Sequence, residues 1–306
     1  MDVKQKASGF AVLSAFALAV SKFTVGLMSG SMAVVSSGLD SLLDVFMSAM
    51  NFFAIRKAAQ PADEGHPYGH AKAESIAGAI QAVVIIFTGG LIIYQAVQEF
   101  LYNHGILYSV LDMGVMGLSL TFSLVISLVL KTVGRRTGSN ALKADALHYA
   151  SDLYSNSAAI LAIFLTYYTG KSFFDITFAI CTGLIIMFSA TKILREGISG
   201  LMDSRIPKHL EDEIESILGE MSFPYAGYHK LRTRFSGNEK YVDFHLLTCR
   251  ELKVDEAHEL AHRVEDRIKA RISTIDVVIH LEPCTYECQL TEMTCFLIRT
   301  RGKRPR

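Results

Sequence analysis

The sequence has no net charge to offer a polyanion. Its 30 Lys and Arg residues offset 30 Asp and Glu residues, which removes the ordinary reason to expect nucleic acid as a partner. It has no H-E-x-x-H, and no nucleophile stands beside a base, so metal-dependent hydrolysis has no visible machinery. Cysteine is scarce, at five residues. The spacing of Cys284, Cys288 and Cys295 is not that of a zinc ribbon. Charge is also thin before about residue 205, whereas the last hundred residues are ordinary charged sequence. That asymmetry implies two domains.

Long apolar runs, by contrast, are abundant. Crossing a hydrocarbon core of about 30 Å takes roughly 20 helical residues. Six segments qualify, near 8–30, 33–55, 76–101, 108–131, 141–167 and 173–195. The first resembles a signal peptide, with Lys4 and Lys6 before an apolar run and AFALA as a small-residue site. Against that, its pattern continues past Lys22 to Met28, and five remaining spans would put the two ends on opposite sides. Basic residues in short loops set the orientation. With the N-terminus inside, Arg56, Lys57, Lys72, Lys131, Arg135, Arg136 and Lys143 face the cytoplasm and only Lys171 faces out. Both termini are then cytoplasmic, and Cys249, Cys284, Cys288 and Cys295 read as thiols in a reducing compartment.

The C-terminal part reads as αββαβ. Residues 208–221 and 254–272 carry apolar residues at helical spacing. GYHKLRTRF and KYVDFHLLTC alternate like strands around Ser236-Gly237-Asn238, and IDVVIHLEP supplies a third strand. The expected architecture is an all-α six-helix transmembrane domain over 1–205, an α+β cytoplasmic domain over 206–284 and a flexible tail over 285–306. The cytoplasmic domain is a small ferredoxin-like or metallochaperone-like sheet with two helices on one face. His245 points opposite Val242, Phe244 and Leu246, and His280 opposite Val277 and Ile279, so both leave the packed face.

Acids interrupt two of the spans. Asp40 and Asp44 are four apart in the second, as are His148 and Asp152 in the fifth, so each pair shares a helix face. An ionisable residue near the bilayer centre costs at least about 2.5 kcal/mol on insertion scales. Four of them need one another or a cation. Three carboxylates and an imidazole make a tetrahedral set for a divalent ion, and the competing reading is a polar seam between helices. Asp145 reads as a structural or entrance residue outside the site.

These motifs, with the loop PADEGHPYGHAKAE and the tail pieces HKLRTR and VVIHLEP, resemble the cation diffusion facilitator family, and within it the bacterial zinc and ferrous-iron efflux branch. The resemblance covers residues 1 to about 284. It implies a homodimer in the bacterial inner membrane that exchanges cytoplasmic Zn2+, or Fe2+, for protons. It also implies metal sites at three places: Asp40, Asp44, His148 and Asp152 for transport; Asp63, His66 and His70 in the loop after span two; and His229, His245, His258, His280 and Glu282 in the tail. Lys72 and Asp203 match a family pair that interlocks the two protomers at the membrane surface. The branch usually has Asp where this chain has Glu282, which puts that ligand's reach in question. His262, one turn past His258, reads as an exposed helix histidine. A membrane-bound metal sensor without flux and a manganese-preferring transporter are the alternative readings.

Overall fold

A computed structural model of the chain describes residues 2–29, 32–102, 110–169, 173–221, 225–237, 239–250 and 252–284. Lys171, Asn238, Cys288, Cys295 and the tail expected at 285–306 lie outside them. The chain forms two compact units, Met1–Met202 and Asp203–Arg306.

The first unit is six helices: α1 (Val3–Ser29), α2 (Met32–Ala58), α3 (Lys72–Tyr102), α4 (Val110–Thr137), α5 (Asn140–Thr169) and α6 (Phe173–Leu201). The shortest have 27 residues, about 40 Å at 1.5 Å per residue, enough to cross a bilayer. Among the described residues α1, α3, α4 and α6 are apolar enough to cross by length and composition. Burial in this unit is inverted relative to a water-soluble bundle. Leu13, Phe16, Phe46, Phe53, Phe87 and Phe188 are exposed, while Ser48, Asn51, Ser75, Gln81 and Asp145 are buried. A hydrocarbon solvent selects that arrangement, because apolar side chains cost nothing outside and polar groups must find partners inside.

Small residues let the helices approach. A Cβ on Gly183 of α6 would stand 2.6 Å from Ile93 Cγ1 and 2.9 Å from the Gly89 carbonyl oxygen of α3, so this crossing admits only glycine. Ala7, Ala11 and Ala15 form a stripe along α1 that packs in one cluster with Ile126 and Leu130 of α4 and Leu142 and Tyr149 of α5. Lys4 and Glu74, 2.8 Å apart and mostly buried, tie the start of α1 to the start of α3.

The second unit runs α7 (Lys208–Gly219), β1 (Tyr225–Ser236), β2 (Glu239–Thr248), α8 (Val254–Arg271) and β3 (Ile275–Pro283), the expected αββαβ order. The sheet order is β1-β2-β3, with β1 antiparallel and β3 parallel to β2. The parallel pair requires a crossover, which α8 supplies. Asp255 and Glu256 in its first turn and Lys269 and Arg271 in its last oppose the helix dipole. Ile214, Ile217 and Leu218 of α7 and Leu260, Val264 and Ile268 of α8 bury against Val242, Phe244, Leu246, Ile275 and Val277. Both helices therefore cover one face of the sheet and leave the other open.

The register of β1 against β2 shifts twice, between Tyr225 and Gly227 and between His229 and Arg232, and the second shift matters for the open face. His229 lies opposite His245 and Arg232 opposite Asp243, so Lys230 and Leu231 together face the single residue Phe244. Lys230 takes the left-handed φ of 52° that this bulge needs. The extra residue lets Tyr228 and Leu231, three apart, both pack on the core. It also puts His229 and Arg232 together on the open face, where Arg232 Nε donates to Asp243 at 2.7 Å.

Candidate metal centres

Within the helical unit, α2 and α5 bring together three of the four expected transport ligands. His148 Nε2 lies 2.8 Å from Asp44 Oδ1, and ligand atoms of Asp44, His148 and Asp152 all lie within 4.8 Å of one another. His148 and Asp44 are largely buried, with side-chain exposures of 15% and 22%. Asp40, one turn earlier on α2, is exposed and stands outside this set.

Beside this set, toward the end of α2 that bears Arg56 and Lys57, lies a buried polar network. Asp145 is fully buried. Its Oδ1 accepts from Ser48 Oγ at 3.0 Å and from Gln81 Nε2 at 3.2 Å. Ser48 also pairs with the Tyr149 hydroxyl at 2.9 Å, and Asn51 Nδ2 donates to Gln81 Oε1. Ser48 has one proton and gives it to Asp145, so Tyr149 is the donor to Ser48. Asp145 is thus the acceptor at the centre of a network joining α2, α3 and α5, a structural role rather than an entrance. On α1, Lys22 is buried and donates to Ser41 of α2 at 2.7 Å. Sequence reasoning passed over Ser48, Asn51 and Tyr149, although Asp44, Ser48 and Asn51 recur at i, i+4, i+7, as do Asp145, Tyr149 and Asp152. Gln81 carried only the weak signal of a lone amide in an apolar run.

The loop between α2 and α3 folds tightly on Asp63. Its Oδ1 accepts from the His66 backbone N–H at 2.7 Å and lies 3.3 Å from His66 Nδ1, while its Oδ2 lies 3.2 Å from His70 Nε2. The His66 N–H above all holds the Asp63 carboxyl below the usual carboxylate range, with the His66 and His70 rings adding to it. The two imidazoles are 4.6 Å apart between centroids, and His70 is buried. All three expected loop residues meet.

On the open face of the sheet, register places His229, His245 and His280 side by side across the three strands. Neighbouring ring centroids are 5.0 and 4.6 Å apart. Glu282, two residues beyond His280, bridges them: its Oε1 is 2.6 Å from His245 Nδ1, and its Oε2 is 2.8 Å from His229 Nε2. The longer side chain therefore does reach. Hydrogen bonds from His245 first, then His229, hold its carboxyl below the ordinary value. His280 Nε2 stands 3.8 Å from the same carboxylate. His258 is not brought to this row. It lies on α8, which covers the opposite face of the sheet, so within one chain the sheet separates it from Glu282.

The interlock residues find partners in their own units. Lys72 Nζ donates to the Leu201 carbonyl at 3.3 Å, and Asp203 accepts from Arg234 at 3.0 Å. No disulfide joins the described cysteines Cys181, Cys249 and Cys284.

Two family models match the chain, the cation efflux transmembrane domain over residues 9–202 and the cation efflux protein cytoplasmic domain over 206–284. The cation-efflux pump FieF of Salmonella arizonae is 33% identical over 276 residues, 90% of this chain and 91% of that protein. FieF of Shigella boydii serotype 18 is 34% identical over 262 residues, 84% and 85% of the two chains. The metal-bound C-terminal domain of the CzcD transporter from Thermotoga maritima is 26% identical, covering 24% of this chain and 87% of that structure, with a TM-score of 0.24.

Proposed function

The chain belongs to the cation efflux family, and from that premise we propose that it is a homodimeric antiporter of the bacterial inner membrane, exporting cytoplasmic Zn2+, with Fe2+ as second candidate, in exchange for protons. One observation carries the reading: two helices with i, i+4 ligand pairs bring Asp44, His148 and Asp152 within 4.8 Å of one another inside a bundle whose outer face is apolar. Asp40 is the fourth ligand, drawn in as the ion offsets the charge of three acids.

Metal and protons compete for the same oxygens and imidazole, so metal binding releases protons and its affinity depends on pH. Moving two positive charges outward against 100 mV costs about 4.6 kcal/mol, and each returning proton offsets about half of that. One neutral nitrogen among oxygens suits a borderline ion such as zinc or ferrous iron better than manganese or magnesium. Alternating access follows from rocking α2 and α5, which hold the ligands, against the rest of the bundle. Asp63, His66 and His70 form a loading site in the loop. His229, His245, His280 and Glu282 sense metal in the cytoplasm, and His258 completes that cluster only from a second copy of the chain. Lys72 and Asp203 act between protomers, with both termini in the cytoplasm.

The test is transport by purified protein in liposomes, with zinc, ferrous, cobalt, cadmium and manganese ions offered under a pH gradient and proton movement followed by a trapped dye. Zinc flux with counter-movement of protons is expected. Zinc flux indifferent to the gradient and moving no protons would remove the coupling, and metal binding without flux would leave a sensor.

A further inference from the structure

Two cysteines stand opposite each other where the parallel pair of strands ends. The register of β2 against β3 runs without a shift from Lys240 and Ile275 to Thr248 and Pro283, and one step further it matches Cys249 with Cys284. The Cys284 N–H donates to the Thr248 carbonyl at 2.8 Å. In a parallel ladder that bond runs to the residue before the one opposite, so it makes Cys249 the partner of Cys284. Side chains opposed in register leave the sheet on the same face. Counting by twos from His245 and His280 puts both thiols on the open face, past the end of the histidine row. Cys249 is 7% exposed, and Cys284 is partly buried.

Neither cysteine is in a disulfide, and the strand spacing suits a longer bridge. Neighbouring strands lie about 4.7–4.9 Å apart, whereas a disulfide draws its Cβ atoms to about 3.5–4.5 Å. A metal ion spans the gap without moving the strands. With metal–sulfur distances of about 2.3 Å, two thiolates stand roughly 3.8 Å apart on a tetrahedral ion and roughly 4.6 Å apart on a linear one.

We propose that Cys249 and Cys284 form a dithiolate site for a soft metal ion such as Cu+ or Cd2+, at the end of the β2–β3 ladder and separate from the histidine row. Thiolates select soft ions, whereas imidazole and carboxylate suit borderline ones, so the cytoplasmic unit carries two sites of different preference on one face. Each thiol gives its proton to solvent as its sulfur binds, and one ion displaces two protons. The site uses none of the ligands of the row, and it stands whether or not the bundle carries ions across.

Cadmium is the probe, because sulfur bound to it gives an ultraviolet charge-transfer absorption that imidazole and carboxylate ligands do not. The full chain in detergent, kept reduced, is titrated in a background carrying Cys181→Ser, Cys288→Ser and Cys295→Ser. One equivalent per chain with the absorption of two thiolates is expected. Cys249→Ser and Cys284→Ser should each weaken the cadmium that gives this absorption by about 100-fold or more, since loss of even an outer-shell partner costs 10–100-fold at metal sites. Circular dichroism checks the fold, and where the buried Cys249→Ser does not fold, Cys249→Ala and Cys284→Ser carry the comparison. Absorption absent from the folded background overturns the proposal, as does absorption of undiminished affinity in either folded variant. So does a pair that glutathione disulfide oxidises as fast with cadmium as without it, which would assign the two thiols to redox chemistry.

Discussion

The two main ligand clusters use the same chemistry, imidazole and carboxylate, on opposite kinds of scaffold. In the bundle, Asp44 of α2 meets the i, i+4 pair His148 and Asp152 of α5, and the set borders a polar network centred on a fully buried acid. In the cytoplasmic unit, ligands come one per strand in cross-strand register on an open sheet face, with His280 65% exposed. On the proposed reading, a buried set on helices that rock ties metal to protons and to helix motion. An exposed set on a sheet backed by two helices suits the sensing role proposed for it. The residue types are alike in the two clusters; burial and the kind of supporting element are what differ.

The comparison is broken most directly at its first member. Asp44→Ala or Asp152→Ala should lower zinc flux in liposomes by about 100-fold or more, since loss of even an outer-shell partner costs 10–100-fold at metal sites. Zinc binding by the strand cluster should persist, measured by calorimetry on the full chain. Near-normal flux in either variant would show that the transport ligands lie elsewhere. Acting on the second member, Phe244→Ala should destabilise the cytoplasmic unit by about 3–5 kcal/mol, because Phe244 is 1% exposed in the core beneath the histidine row. Limited proteolysis should then release that unit while the six helices stay intact; equal resistance in wild type and variant would mean that the core tolerates the cavity.

A smaller change sharpens the contrast in ligand type. His148→Asp replaces the one intramembrane nitrogen ligand and should shift competition uptake from zinc toward manganese by roughly tenfold, the direction set by ligand hardness. An unchanged ratio in a transport-active variant would place selectivity elsewhere. Asp145→Ala leaves Ser48 and Gln81 without their buried acceptor, at a cost of about 1–3 kcal/mol, read as a lower temperature of aggregation in detergent with Asp145→Asn less affected. No difference between the two would deny Asp145 its central place. The smallest effect belongs to the interlock. Lys72→Asp should reduce flux and Asp203→Lys should restore part of it, with exposed pairs worth about 0–1 kcal/mol. Equal defects in the single and swapped proteins would mean that the two charges do not meet.

Much of this was legible in the residues, and the failures are instructive. The lengths of the apolar runs located six helices, and the αββαβ order followed from changes of periodicity. Asp44, His148 and Asp152 stood out because charge in a membrane span is expensive. The network beneath them did not, because Ser48, Asn51 and Gln81 are individually cheap to bury and gain meaning only from one another. The faces of His245 and His280 were readable from simple alternation, whereas that of His229 depends on the bulge at Lys230, an extra residue that period-2 counting has no means to anticipate.

The amino-acid sequence by itself determined what backbone periodicity governs: which residues share a helix face or a strand face, how long each element is, and that ionisable groups would be held within apolar helices. Only the tertiary structure decided which faces meet. It set α5 against α2 so that His148 reaches Asp44, brought Gln81 of α3 to Asp145, kept Asp40 outside the set, and placed α8 on the far side of the sheet, pairing His258 with His262 rather than with Glu282. The reason is that periodicity is a local property of the chain. The meeting of distant segments depends on which surfaces pack closely enough, as at Gly89 and Gly183, and residue spacing along the chain does not encode that.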